Sequence, residues 1–254
     1  MTLYTINQKF QAAPTGRAAE PYGARRLKVA EMFGIGLDES YEVTLYHDLR
    51  LDVRPGDVVF ITGPSGSGKS VLLRNLARAI QGEPPTGARL VDLGTIHEAG
   101  RRGDRPVIDL MTGPLEQALR LLSAAGLADA FLLLRTPQEL SDGQRYRLRL
   151  ALALDALLGG AAEDVAPHGC PPCVRGGLNV LVADEFCSTL DRLCARAVAY
   201  RVRRLATTHG VTVLAASAHD DVVEDLAPDV LVAKHEGSGI EVIYADPGRA
   251  EVQP

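Results

Sequence analysis

A chain of 254 residues is long enough for one well-buried α/β domain with an appended subdomain, and 46% hydrophobic with 23% charged residues is the composition of a globular protein. A formal net charge of −5 argues against a general nucleic-acid coat, and four cysteines are too few for a disulfide scaffold at this length. No run approaches the ~18 uninterrupted apolar residues of a membrane span, and MTLYTINQKF lacks a hydrophobic signal core, so a cytoplasmic protein is expected.

Residues 1–27, rich in Ala, Pro, Gly and Arg without a sustained period, read as a loosely held N-terminal arm with one edge strand near 3–6. Its basic residues, Lys9, Arg17, Arg25 and Arg26, suit a solvated terminus better than a nucleic-acid contact. The folded domain is expected over 28–248, followed by a short tail, 249–254. Two antiparallel strands, alternating from residue 41 and again from residue 49, lead through a turn at 54–57 into the buried run VVFIT, 58–62.

That run feeds GPSGSGKS and then the helix-forming VLLRNLARAI. Strand, glycine-rich turn and helix in this order are what a phosphate-binding loop requires, extending from Gly63 through Pro64, Ser65, Gly66, Ser67, Gly68, Lys69 and Ser70 to Val71. The three glycines let backbone N–H groups converge on phosphate oxygens, and the new helix aims its positive end at the same point. Lys69 would reach the β- and γ-phosphates, and the Ser70 hydroxyl would hold Mg²⁺. A Gly/Ser loop that only turns the chain is the bland alternative, and the full pattern in its strand-to-helix context argues against it.

Further along come a GEPPTG turn, a strand over 88–93 and a short apolar run over 107–110. A helix opening at Pro114 carries the apolar face Leu115, Ala118, Leu119 and Leu122. After a helical piece at 127–134, Ser141 stands as an N-cap with Gln144 three residues on, the spacing of a capping box, before a long helix to about 158. A Gly/Pro-rich insertion, 159–177, precedes the buried strand LNVLVADEF, a helix over 191–208 and a buried strand over 211–216. A short helix near 220–226 and strands over 230–234 and 240–244 complete the chain. This alternation predicts an α/β fold: a mainly parallel sheet with helices on both faces, a small antiparallel part, a shortened helical subdomain over about 107–158, and ligands at the carboxyl ends of the strands. Asp184 and Glu185 end one such strand, where the first suits Mg²⁺ and the second an attacking water.

With these residues assembled, the chain resembles the ATP-binding cassette (ABC) ATPases. GPSGSGKS is similar to their Walker A and VLVADE to their Walker B. Leu140, Ser141, Asp142, Gly143 and Gln144 resemble the signature motif, Ser188, Leu190 and Asp191 the D-loop, and His219 the switch histidine, all in the family's order. The resemblance implies the P-loop NTPase fold of the ABC type and hydrolysis of Mg·ATP with Glu185, His219 and Lys69 as catalytic residues. It also implies an ATP-dependent head-to-tail homodimer in which each signature segment serves the neighbour's nucleotide. Ser141 and the N–H groups of Asp142 and Gly143, at a helix start, suit such an anion site. Asp191 would approach the partner's phosphate loop and also cap its own helix.

Departures from the family pattern set further expectations. Asp142 stands where glycine is usual, so its carboxylate must turn from the γ-phosphate or be compensated. No glutamine follows the run at 106–109, leaving Asp109 as the substitute Mg²⁺ contact and Gln117 as the other candidate. Phe33 is expected to stack on adenine, with Tyr41 and Tyr46 as alternatives. His168, Cys170 and Cys173 have spacing that could begin a zinc site or a redox pair, but without a nearby fourth ligand an unmetallated loop is favoured. Cys187 and Cys194 are expected to be buried. The segment ADEFCSTLD resembles soluble ABC-type ATPases joined to a predicted acetyltransferase domain, which here would be a separate partner. A conformational switch in a protein partner is therefore the expected output. A membrane-transporter subunit and a nucleotide-gated module acting on nucleic acid or an enzyme are the alternatives.

Overall fold

The computed structural model describes residues 3–12, 24–34, 41–82, 88–97, 104–158, 178–235 and 239–252. They fall into two compact units, residues 5–50 on the one hand and residues 51–254 with the first four on the other. The 159–177 insertion, and with it His168, Cys170 and Cys173, lies outside the described residues.

The smaller unit contains most of β1 (Leu3–Ala12), α1 (Ala24–Phe33) and most of β2 (Tyr41–Asp52), and the two strands form their own sheet. Within the arm expected to be loosely held over 1–27, the described residues 3–12 and 24–27 are strand and helix. Tyr4, Ile6 and Gln8 are less exposed than Thr5, Asn7 and Lys9, the period-two signature of a strand with one covered face. The expected boundary at 27 falls inside α1, whose Ala, Arg, Leu, Lys, Glu and Met are good helix formers. The two antiparallel strands expected from residue 41 are one strand. Asp48, where the runs were divided, takes a left-handed φ of 50°, and its N–H donates to Asn7 Oδ1 at 2.6 Å.

In the larger unit, β3 (Val58–Thr62), β4 (Arg89–Asp92), β5 (Asn179–Ala183), β6 (Thr212–Ser217), β7 (Val230–Lys234) and β8 (Ile240–Tyr244) form one sheet in the order β4-β5-β6-β3-β7-β8. All neighbours run parallel except β7 and β8. Val58, Val59, Phe60 and Ile61 of β3 are fully buried, as a central parallel strand covered on both faces requires. Helix α2 (Lys69–Gln81) buries Leu72, Leu73, Leu76, Ala77 and Ile80, a single stripe, against this sheet. Helices α3 (Leu115–Ala124), α4 (Ala130–Leu133) and α5 (Asp142–Leu158) make the shortened helical part. Helices α6 (Arg192–His209) and α7 (Val223–Leu226) complete the unit.

Two expectations change here. On α3 the buried residues are Ala118, Leu121 and Leu122, while Leu115 and Leu119 are exposed; the covered stripe is rotated from the one predicted because only part of the helix meets α5. The expected C-terminal tail is a 3₁₀ turn, Pro247–Val252. Its Arg249 is buried and donates to both oxygens of Asp57, at 2.8 and 3.2 Å, a bidentate pair that ties the end of the chain to the residue just before β3.

Candidate active site

The parallel register brings three strand ends together. Thr62 of β3 pairs with Ser217 of β6, and Ala183 of β5 pairs with Ala215. The phosphate loop, Asp184 and the segment leading to His219 therefore leave the sheet side by side at its carboxyl edge.

The loop needs glycine where it turns, for backbone freedom throughout and for space at Gly63. Gly63 has φ 146°, and a Cβ there would lie 2.3 Å from the Lys234 carbonyl oxygen. Gly66 and Gly68 have φ of 76° and 92°, and α2 starts at Gly68 without a side-chain cap, which directs its first N–H groups to a ligand. Lys69 Nζ donates to the carbonyls of Gly63 at 2.8 Å and Pro64 at 2.7 Å, so the ammonium is folded over the loop it serves. The Ser67 hydroxyl is buried and unpartnered, an orphan polar atom that fits a phosphate-lined cavity.

Ser70 Oγ donates to Asp184 Oδ1 at 3.0 Å, and the same carboxylate oxygen accepts the Glu185 N–H at 3.1 Å. Arg74, one turn into α2 and not anticipated from the sequence, brings a guanidinium 3.9 Å from Asp184 Oδ2. Two adjacent hard oxygens beside a phosphate loop are a donor set that fits Mg²⁺. Glu185 is exposed and has φ 52°, a left-handed conformation that a non-glycine residue adopts at a cost.

At the start of α5, Ser141 N–H donates to Gln144 Oε1 at 2.9 Å while Gln144 N–H donates to Ser141 Oγ at 3.3 Å, the reciprocal bonds of the capping box. Asp142 is highly exposed, and its carboxylate pairs with the Arg145 guanidinium one turn on. The compensation that an anionic signature residue requires thus comes from its own helix. Gly143 packs against the D-loop, where a Cβ would lie 3.3 Å from Leu190 Cδ2. Arg147 donates to the Gly126 carbonyl at 2.9 Å, anchoring the helix behind this turn.

Asp191 caps α6 by accepting the Cys194 N–H at 3.0 Å, and a hydrogen bond from the Cys194 thiol together with that N–H holds its carboxyl below the ordinary carboxylate range. Ser188 and His219 lie across a cavity of about 270 Å³, whose lining includes Leu190, Arg192 and Asp221. His219 is exposed, and its backbone N–H donates to Ser217 Oγ at 3.1 Å. Arg192 Nε donates to Asp221 Oδ2 at 3.1 Å, joining the D-loop helix to the segment after His219. Cys187 is buried and its thiol is pushed up to about 12 by that burial, while Cys194 is only partly covered.

Other expected residues are placed less decisively. Asp109 is exposed on a 3₁₀ turn, Val107–Leu110, which the short apolar run forms. Gln117 lies over Gly113, whose Cβ would come within 3.2 Å of Gln117 Oε1 and 3.4 Å of Asp155 Oδ1. Asp155, unremarked in the sequence because it interrupts an apolar helix, is buried and accepts from Thr112 N–H at 2.6 Å and Oγ1 at 2.7 Å. Phe33 is 73% exposed at the end of α1. Tyr46 is 2% exposed, its hydroxyl pushed up to about 12 by burial, which withdraws that ring from stacking on a ligand. Among the described residues no cluster of three or more His, Cys, Asp or Glu could hold a metal ion, and no helix is long and apolar enough to cross a membrane.

Comparison with known proteins agrees with this geometry. The ABC transporter family model matches residues 46–101. A phosphonates import ATP-binding protein, PhnC, of Hyphomonas neptunium is 28% identical over 73% of this chain and 76% of its own length. A methionine import ATP-binding protein, MetN 1, of Burkholderia pseudomallei is 30% identical over 73% of this chain, which spans 56% of that protein. The dimeric structure of a bacterial ABC transporter cassette superposes with a TM-score of 0.54 at 18% identity, covering 81% of this chain and 93% of that one. A post-hydrolysis state of an ATP-binding cassette bound to ADP and phosphate gives a TM-score of 0.52 at 18% identity, over 79% and 91% of the two chains. The relatives reported are importer subunits, and they lend no support to the acetyltransferase link expected from ADEFCSTLD. The chain thus carries the P-loop NTPase fold of the ABC cassette and is an ATPase, an enzyme that hydrolyses ATP.

Proposed function

We propose that this chain hydrolyses Mg·ATP at the interface of a head-to-tail homodimer and passes the resulting opening and closing to a protein partner. The observation that carries the reading is the Ser70–Asp184 bond at 3.0 Å with Glu185 next in the chain, beside an uncapped helix start. Loop N–H groups and Lys69 hold the β- and γ-phosphates, and the Ser67 hydroxyl donates to one of their oxygens. Ser70 and Asp184 would hold Mg²⁺, whose charge, once bound, would offset that on the phosphates. Glu185 accepts a proton from water as the water oxygen bonds to the γ-phosphorus, the bridging bond to the β-phosphate breaks, and ADP leaves with the electron pair. His219 donates to the γ-phosphate and loses that contact when phosphate departs. The neighbour's Ser141 turn completes the pocket.

The named roles of PhnC and MetN support a membrane importer as the recipient of this work. The exposed Asp109, where the family's glutamine usually meets membrane subunits, favours a second reading with a soluble partner. Purification with ATP of a Glu185→Gln variant tests the shared core. Nucleotide should stay bound, phosphate release should stop, and the mass should double by light scattering. A monomer that turns over normally sinks the assignment.

A further inference from the structure

A buried hydroxyl joins the first turns of α5 to the loop that follows Asp184. Tyr146 lies one turn into α5, two residues past the Ser141–Gln144 capping box, and is 4% exposed. Its oxygen accepts the Cys187 backbone N–H at 2.8 Å, a contact between residues 41 apart in sequence.

Cys187 is no ordinary acceptor of support. Its φ is 58°, and Glu185 two residues earlier has φ 52°, so the loop behind the Walker B strand holds two non-glycine residues in the left-handed region. Such conformations persist only when their surroundings over-determine them. Phe186 N–H bonds the Ala216 carbonyl of β6 at 2.8 Å, Ser188 N–H bonds the Glu185 carbonyl at 3.0 Å, and Leu190 N–H bonds the Cys187 carbonyl at 3.1 Å. These three bonds come from the loop itself or from the neighbouring strand. The fourth, to Tyr146, comes from the helix whose first turn is the signature. Without the hydroxyl, the Cys187 N–H would be a buried donor with no acceptor, and the loop would relax away from its left-handed geometry.

We propose that Tyr146 is a positioning residue: its hydroxyl holds the Glu185 loop in its working conformation and makes that conformation depend on where the signature helix sits. The first turn of α5 also presses on the D-loop through Gly143 and Leu190, so helix and loop are joined at two points and shift together. When the signature turn closes on a neighbour's γ-phosphate, the displacement reaches the same protomer's Glu185. Burial pushes the Tyr146 hydroxyl well above its ordinary range.

This inference rests on Glu185 as the residue that activates water, and the test separates the two. Tyr146→Phe keeps the ring and removes the oxygen. It should lower kcat about tenfold while leaving the KM for ATP unchanged, because the nucleotide-binding loop is untouched. In a Cys187→Gly background, where a positive φ carries no steric cost, removing the hydroxyl should cost clearly less. A Tyr146→Phe enzyme that melts earlier but turns over at the parent rate at a permissive temperature would make the bond merely structural and overturn the proposal. So would an equal loss in the Cys187 and Cys187→Gly backgrounds. Normal turnover by Glu185→Gln would instead remove the reading beneath it.

Discussion

Two helices begin at functional turns in this molecule, and they are finished in opposite ways. Helix α2 starts at a glycine with no side-chain cap, and its Lys69 is tied back to loop carbonyls. Helix α5 starts with a complete capping box and an ion pair within its first turn. The first turn depends on a ligand to satisfy its N–H groups, whereas the second is self-sufficient and can face solvent until a neighbour arrives. This difference suits the proposed site shared between two copies, with one half that grips nucleotide alone and one that waits.

The sharpest way to break the comparison is Gly63→Ala. Its Cβ would collide with the Lys234 carbonyl at 2.3 Å and sit at φ 146°, so the loop must rearrange and ATP binding by calorimetry should disappear. Binding near the parent affinity would mean the loop is not shaped by that contact. Next comes Lys69→Ala, expected to weaken ATP affinity by about 10- to 100-fold through loss of charge-assisted contacts. Ser141→Ala should separate the two ends. It costs about 1 kcal/mol of helix stability in a thermal melt, leaves ATP affinity of the monomer unchanged, and slows hydrolysis where dimers form. A rise in monomer Kd would assign the signature turn to its own nucleotide.

Smaller effects sharpen the same contrast. Because Asp142 and Arg145 are an exposed pair worth about 0.5 kcal/mol, Arg145→Ala should slow turnover about twofold by unmasking the carboxylate, and Asp142→Gly should raise it. In the Asp142→Gly background Arg145→Ala should then do nothing. Asp191 supplies the least. Its carboxyl is held below the ordinary value near ~3.9, so its capping of α6 is fully present above that pH and is lost as pH falls through the lower folded value. Urea melts of Asp191→Asn should therefore show a shallower loss of stability below about pH 4 than the parent.

The phosphate loop was legible because everything that defines it is local: strand, glycines and helix follow one another within a dozen residues. The capping box at Ser141 and Gln144 was legible for the same reason. The stripe of α3 was misread because a short helix with several leucines offers more than one apolar face, and only the partner decides which is covered. The edge strand expected near 3–6 is present but runs on to Ala12, because its length is set by pairing with β2, a partner that starts only at Tyr41 and that no local period reveals.

By itself the sequence determined the order of the motifs, the α/β class and the chemistry of each strand end, because these depend on residues close together along the chain. Only the tertiary structure decided that Tyr146 supports Cys187, that Asp155 holds Thr112 and that Arg249 locks onto Asp57. Those bonds join residues up to 192 apart, and no local period encodes them. They exist because a buried polar atom must find a partner wherever the packed chain brings one within reach.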